Sequence, residues 1–386
     1  MRVFGHMSTP QLVIATMGVA LTVSAACQST QRLTSSDGGS DTIPVDIVAY
    51  GPDGSLVLFT EPAIHVFDST LTTELSTIPL AFPTTPSYAM PQRMRFSLSS
   101  DGTTAAVSYS SWDQTQPSTI EIFGIPGGEL LNRFDIPNVK SIGTPALSPD
   151  GKLLYAMVNV ATMVDTTTGA TVWTDSSADG ALRVLPVWST DGTTLFSVRT
   201  RAAKLDALDP RTGAIKWQTD LDSTGDTNGD AVLGLAVTGN GSQLAGAAEP
   251  PPFTSCNDDG DCSFFPSWSA ADGTPKGRLP YVPDTDVYEA TVDGRGAFAC
   301  DGRDTCVVGL RDFSKPNQPK HLRAYKSDGT VLANLPADGT TPSVAFSPDG
   351  QFVATAAEFD INGGAKVFSV ANGNVVGQVS FPIETF

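Results

Sequence analysis

Seven times along this chain an apolar run meets Asp-Gly or Asn-Gly, and a second apolar run follows. The pairs are Asp53-Gly54, Asp101-Gly102, Asp150-Gly151, Asp191-Gly192, Asn240-Gly241, Asp293-Gly294 and Asp349-Gly350. The fullest copy is Val344-Ala345-Phe346-Ser347-Pro348-Asp349-Gly350-Gln351-Phe352-Val353-Ala354-Thr355. Pro348 pre-sets the first turn dihedral, and Gly350 accepts the positive φ that closes a hairpin. The seven glycines stand 48, 49, 41, 49, 53 and 56 residues apart. A period in this range predicts one small structural unit repeated in a stack or a ring.

Each unit carries a second pair of β-runs. In the third, Ala161 to Asp165 turns at Thr168-Gly169 into Ala170 to Trp173. In the fourth, Ala203 to Asp209 turns at Thr212-Gly213 into Ala214 to Trp217. Gly127-Gly128, Asp272-Gly273, Asp328-Gly329 and Asn372-Gly373 mark similar turns, whereas the first unit has Ile64 to Phe67 and Leu75 to Leu80 with no glycine between them. Helical periodicity is not seen. Four short antiparallel strands, a to d, repeated seven times predict an all-β, seven-bladed β-propeller over 43–386. The first unit opens on strand a (Val45 to Tyr50) and the last finishes on strand d (Val375 to Phe381). A borrowed strand to close the ring could come only from Pro382 to Phe386 or from the segment before Ile43.

The Ser-Pro-Asp-Gly turns at Ser148 to Gly151 and Ser347 to Gly350 resemble the WD40-like, YVTN and TolB-like repeats of bacterial exported propellers. That resemblance covers 43–386 and speaks to fold. The Trp-Asp that ends strand c in eukaryotic WD40 repeats is missing from that place, and Trp112-Asp113 falls in a b–c connection instead. The partner rules of those repeats therefore do not transfer.

The N-terminus predicts export. Arg2 precedes an apolar stretch from Leu12 to Ala26, too short to span a bilayer comfortably, and the small residues Ser24-Ala25-Ala26 follow. Residues 1–26 thus read as a signal peptide. Cys27 at the junction resembles a bacterial lipobox, although Ser24 stands where leucine is usual. The resemblance implies a lipidated Cys27; ordinary cleavage after Ala26 is the alternative. Five cysteines is an odd number for an exported chain, and removing Cys27 leaves four that can pair. Residues 27–42, rich in Ser, Thr, Asp and Gly, read as a flexible tether. Gln28 is not an aspartate retention signal, which by the same resemblance implies a bacterial outer-membrane lipoprotein, with the periplasm or cell surface as the alternative.

Charge narrows the partners. A formal net charge of −18 argues against nucleic acid and against anionic lipid head groups. Membrane contact is then expected only through the anchor, and the chain is expected to be a monomer.

Catalytic motifs are sparse. His65 in a strand and His321 beside Lys320 and Arg323 are distant from each other and match no zinc spacing. No Gly-x-Ser-x-Gly elbow or phosphate loop is found. The run Leu205 to Trp217 is similar to a quinoprotein propeller repeat, but one repeat in seven is set against Trp217 simply packing between blades. Lactonase-type propellers offer another enzymatic precedent, with no constellation here to match it.

Cys256/Cys262 and Cys300/Cys306 share a C-x5-C spacing in polar, turn-rich stretches. Local disulfides 256–262 and 300–306 are expected among three connectivities, with a metal–thiolate site as the alternative. Asp226, Asn228 and Asp230 alternate as calcium ligands do, but Gly234 stands where a later acidic ligand belongs. No cofactor is implied otherwise, and calcium is the one candidate.

Antiparallel alternation puts a–b and c–d turns on one face and b–c and d–a connections on the other. The insertions Glu249 to Pro266 and Cys300 to Lys320 are read as b–c connections. With the neighbouring d–a segments they predict one acidic, partly aromatic patch from Asp258, Asp259, Asp261, Phe264, Phe265, Asp284 and Asp286. The reading is a non-catalytic, lipid-anchored envelope scaffold that binds a protein or surface component. The alternative is a lactonase-like or quinoprotein-like envelope enzyme with its site in the central channel.

Overall fold

Strands buried on both faces need continuous apolar sequence, and strands at a sheet edge can alternate. The computed structural model shows both patterns in every unit. Its described residues are 42–43, 45–60, 63–80, 93–110, 118–136, 145–158, 160–175, 183–199, 202–221, 232–248, 265–279, 298–310, 321–326, 328, 330–336, 343–357 and 364–382. The second and third strands of a unit are mostly buried, and completely so in Leu56–Thr60 and Ser118–Gly124. The fourth strands alternate between exposed and half-buried, as in Leu130–Ile136.

Seven antiparallel meanders result. Blade one is β2 (Val45–Tyr50), β3 (Leu56–Thr60), β4 (Ala63–Phe67) and β5 (Glu74–Pro79). Blade two is β6 (Arg93–Leu98), β7 (Thr104–Ser110), β8 (Ser118–Gly124) and β9 (Leu130–Ile136). Blade three is β10 (Ala146–Leu147), β11 (Leu153–Val158), β12 (Val160–Asp165) and β13 (Thr171–Thr174). Blade four is β14 (Arg183–Trp188), β15 (Leu195–Arg199), β16 (Lys204–Leu208) and β17 (Ile215–Asp220). Blade five is β18 (Val232–Thr238), β19 (Gln243–Ala248), β20 (Phe265–Ser269) and β21 (Pro275–Leu279). Blade six is β22 (Phe298–Cys300), β23 (Thr305–Leu310), β24 (His321–Lys326) and β25 (Val331–Pro336). Blade seven is β26 (Val344–Phe346), β27 (Phe352–Ala357), β28 (Gly364–Ser369) and β29 (Val375–Pro382). The first strands of neighbouring blades touch one another, so they line the centre of a seven-bladed ring.

The core is divided among the seams between blades. Phe59 stacks on Phe96 between blades one and two, with centroids 5.4 Å apart. Ile120 and Ile122 meet Leu147 and Leu154 between two and three. Phe196 and Leu205 meet Leu244 and Trp268 between four and five. Leu322 and Leu335 meet Val353 and Phe368 between six and seven.

Four of the a–b turns share one polar clasp. Ser99, Ser148, Ser189 and Ser347 each donate Oγ–H to the aspartate two residues on, at 2.6 to 2.7 Å. The same four oxygens accept the N–H of Thr104, Leu153, Thr194 and Phe352. The Ser189 hydroxyl and the Thr193 N–H hold the Asp191 carboxyl below its usual range; Ser347 and Gln351 do the same for Asp349.

On the c–d side, outer strands of blades three and four cover the next blade's turn. A Cβ at Gly213 would stand 2.9 Å from the Trp173 ring, and one at Gly273 would stand 2.6 Å from Trp217. The indoles also donate, Trp173 Nε1 to the Pro210 carbonyl at 2.8 Å and Trp217 Nε1 to Ala270 at 3.2 Å. Trp217 is therefore an inter-blade residue. In blade one the glycine-free c–d turn uses Leu71, left-handed at φ 59°. Asp68 closes that turn: burial works against its charge, but the hydroxyls and amides of Thr72 and Thr70 hold its carboxyl down to about 2.

Ring closure uses both ends of the chain. β1 (Thr42–Ile43) pairs with the outer edge of β29, with Thr42 opposite Pro382 and Ile43 opposite Phe381, so blade seven has five strands. The Phe381 ring lies 4.4 Å from His65 of blade one, and His65 Nδ1 bonds Glu74 at 2.7 Å. Gly377 of β29 faces the Thr70 carbonyl of blade one's c–d turn, where any Cβ would collide. Gly377→Ala is therefore expected to cost about 1–3 kcal/mol by overpacking the seam. The urea midpoint should fall at unchanged slope; an unchanged midpoint would show that this contact does not close the ring.

Candidate functional site

The sixth unit departs from expectation. Its a–b turn is Asp301-Gly302, with Gly302 at φ 76°, between β22 and β23. Asp293-Gly294 lies outside the described residues. Gly241 to Gly302 is then 61 residues, and Gly302 to Gly350 is 48. Cys300 and Cys306 are directly opposite each other on β22 and β23 and form a disulfide, with Cα atoms 4.0 Å apart. The bridge thus belongs to the a–b hairpin and not to a b–c insertion; the b–c connection is 311–320. It sits on the face of the short turns, opposite to the expected patch.

Most other sequence-derived sites, namely Cys27, Cys256, Cys262, Asp226, Asn228, Asp230, Asp258, Asp259, Asp261, Phe264, Asp284 and Asp286, lie outside the described residues. Phe265 is the first residue of β20, opposite Leu279, and so belongs to a strand. Among the described residues no group of three or more His, Cys, Asp and Glu could hold a metal ion. His321 opens β24, opposite Leu310 and Pro336.

An unexpected polar cluster fills the seam between blades three and four. Asp206 of β16 is fully buried, at 0% exposure. It stands in Lys204-Leu205-Asp206-Ala207-Leu208, where alternation points Leu205 toward blade five and Asp206 toward blade three. Its Oδ2 receives Arg183 Nη1 and, at 3.1 Å, Arg199 Nε; its Oδ1 receives Gln218 Nε2 at 2.6 Å. Arg183 Nε reaches Asp175, at the end of blade three, at 2.5 Å. The Arg183 carbonyl accepts the Tyr155 hydroxyl at 3.1 Å.

Burial works against the Arg183 charge, but the Asp175 hydrogen bond and the Asp206 carboxylate outweigh it and hold the guanidinium more firmly protonated than usual. Burial pushes the Tyr155 hydroxyl far above its ordinary range. Arg183 opens β14 and Arg199 closes β15, so the cluster lies toward the ends joined by d–a and b–c connections. Two residues on, Leu185 is left-handed at φ 52° before Pro186, and β14 bulges there. A non-glycine residue in that region costs about 1–3 kcal/mol and persists only where its surroundings over-determine it. Blade two repeats the theme: buried Glu121 accepts the Tyr109 hydroxyl at 2.9 Å and pairs with Arg133 at 3.2 Å.

The sequence signal for this cluster is Asp206 between Leu205 and Ala207 in the third strand. Chemically the cluster is a set of charge pairs that orders the seam. Leu147 N donates to Ser97 Oγ at 3.0 Å between blades two and three, so the inner strands are also joined by neutral polar bonds.

No protein-family model and no curated protein sequence matches the chain. Solved structures do match in fold. A chain of the Kuenenia stuttgartiensis hydrazine synthase is 16% identical with a TM-score of 0.59, covering 88% of this chain and 99% of its own. A chain of the mitotic checkpoint complex is 16% identical with a TM-score of 0.52, covering 81% and 87%. The WD40 repeats of RRP9 are 12% identical with a TM-score of 0.55, covering 82% and 88%. At such identities the likeness shows a WD40-like β-propeller fold.

Asp206→Asn would leave two buried guanidiniums short of a carboxylate. It is expected to lower stability by about 3–5 kcal/mol, the range for breaking a buried pair from one side. Replacing Arg183, Arg199 and Asp206 together with Met, Met and Leu should recover part of that loss. A triple variant no more stable than Asp206→Asn would count against a charge-compensation role.

Proposed function

We propose that the protein is a non-catalytic binding scaffold of the bacterial envelope, anchored by lipid at Cys27. It holds a protein or surface component through the face of its long b–c and d–a connections. The observation that carries this reading is the asymmetry of connection length. The a–b turns join strands over a few residues, as between Tyr50 and Leu56, whereas β19 and β20 are joined through 249–264 and β21 and β22 through 280–297. Long connections on a rigid frame are where binding concentrates. A fold neighbour from the mitotic checkpoint complex supports the idea that such a ring can serve within an assembly.

The lipid anchor rests on the resemblance around Cys27, and the binding patch on Asp258, Asp259, Asp261, Phe264, Phe265, Asp284 and Asp286. The acidic character of that patch suits a cationic protein surface. Calcium at Asp226, Asn228 and Asp230 would bridge to the same kind of partner. The outer membrane and a monomeric state complete the proposal.

Two measurements test it. Cys27→Ser should move the protein from the membrane to the soluble fraction, and unchanged partitioning would remove the anchor. Asp258, Asp259 and Asp261 replaced together by Asn should reduce capture of a partner from envelope extract. Asp226 and Asp230 replaced by Asn should do the same and abolish any calcium-dependent rise in melting temperature. If both variants match wild type in capture and in calcium response, the binding face lies elsewhere.

A further inference from the structure

The a–b turn of blade six joins three blades at the inner rim. The Gly302 carbonyl accepts the Asn240 N–H, and the Arg303 carbonyl accepts the Gly239 N–H, each at 2.5 Å. Thr238 Oγ1 adds a bond to the Arg303 carbonyl at 3.1 Å. All three donors belong to blade five. On the other side Arg303 Nη1 donates to the Asp349 carbonyl of blade seven at 2.9 Å, and Nη2 to Pro348 at 3.4 Å. A Cβ at Gly350 would stand 2.9 Å from the Asp301 carboxylate. This turn is a keystone: its backbone faces blade five and its one guanidinium faces blade seven.

It lacks the clasp that holds the a–b turns of blades two, three, four and seven. Ser99, Ser148, Ser189 and Ser347 each tie two positions of their own hairpin through one hydroxyl. In blade six the closing position is Asp301, whose N–H meets the Thr305 carbonyl at 2.9 Å. Its carboxylate accepts the N–H groups of Arg303 and Thr305, at 2.8 and 3.1 Å. The inner strand behind it is three residues long. What replaces the serine clasp is the Cys300–Cys306 bridge, one residue outside the turn at each end. Cys306 is 4% exposed, whereas Cys300 is half-buried.

We propose that Cys300–Cys306 is a redox-sensitive clasp whose reduction uncouples blade six from blades five and seven at the inner rim. The reductant is a dithiol. Two electrons and two protons pass from it to the bridge, the S–S bond breaks, Cys300 and Cys306 become thiols, and the donor becomes a disulfide. With the clasp open, only hydrogen bonds hold the 301–304 turn in place, and the amides of Gly239 and Asn240 lose their fixed acceptors.

The test uses the full chain with Cys256→Ser and Cys262→Ser, so that one local bridge remains. Amide exchange at Gly239 and Asn240 is followed in native buffer with and without dithiothreitol. Asp101 N–H, which donates to the Pro149 carbonyl at 3.0 Å between blades two and three, is the internal control. Reduction should speed exchange at Gly239 and Asn240 by about tenfold or more while Asp101 stays within about twofold, as local opening requires. Cys300→Ala with Cys306→Ala should show the faster exchange without reductant and no response to it. The proposal fails if the bridge survives dithiothreitol until the protein is denatured. It also fails if the bridge is reduced with exchange unchanged, or if all three amides accelerate together.

Discussion

The closest fit between blades in this ring comes where an outer strand covers the neighbouring blade's c–d turn. The outer strand lays a side chain over a neighbouring c–d turn, and that turn must present no Cβ. Phe134 lies over Gly169, Trp173 over Gly213 and Trp217 over Gly273. At the last step the roles reverse, and Gly377 yields to the Thr70 carbonyl. The turn residue there is Leu71 in place of glycine, so the clearance comes from the covering strand. Side-chain volume is traded between strand and turn from seam to seam, and seven unequal sequences can thereby form one closed ring.

The buried charges follow a different logic. Taking Asp206 and Arg183 out of water costs several kcal/mol per ion, and mutual attraction offsets this only with near-complete hydrogen bonding. Asp206 achieves it with two arginines and Gln218. Those bonds all lie within blade four; blade three is reached through Arg183, whose Nε donates to Asp175 and whose carbonyl accepts the Tyr155 hydroxyl. Leu185 sits beside that seam with a backbone few leucines adopt, and blade two has a second buried carboxylate in Glu121.

The seven units and their strand order were legible because the Asp-Gly turns recur where the backbone needs left-handed φ, as at Gly54, Gly102 and Gly151. The sixth unit was misread for a physical reason. Asp301-Gly302-Arg303-Asp304 is polar and flanked by cysteines, which resembles an insertion, while Asp293-Gly294 imitates the expected turn. Only pairing of Cys300 with Cys306 separates them, and pairing is non-local information. The two-residue strand Thr42–Ile43 is too short to carry any pattern. Asp206 was in plain view but looked like one acidic residue among many, because its partners arrive from 183, 199 and 218. The sites assigned to Asp226 and to Asp258 through Asp261 lie outside the described residues.

The division of the core among seams has a kinetic consequence. No blade encloses a hydrophobic interior of its own, so a partly made ring leaves two greasy flanks bare. The last flank is covered only when Leu56 and Leu58 of blade one meet Ala356 and Val367 of blade seven, at opposite ends of the ring. Closing a loop of that length is entropically slow. During synthesis the first blade must wait for the last with Phe67 and His65 uncovered. The window for wrong association is thus set by the time needed to complete β29, and chain-end truncations should be felt as aggregation before they are felt as lost strands.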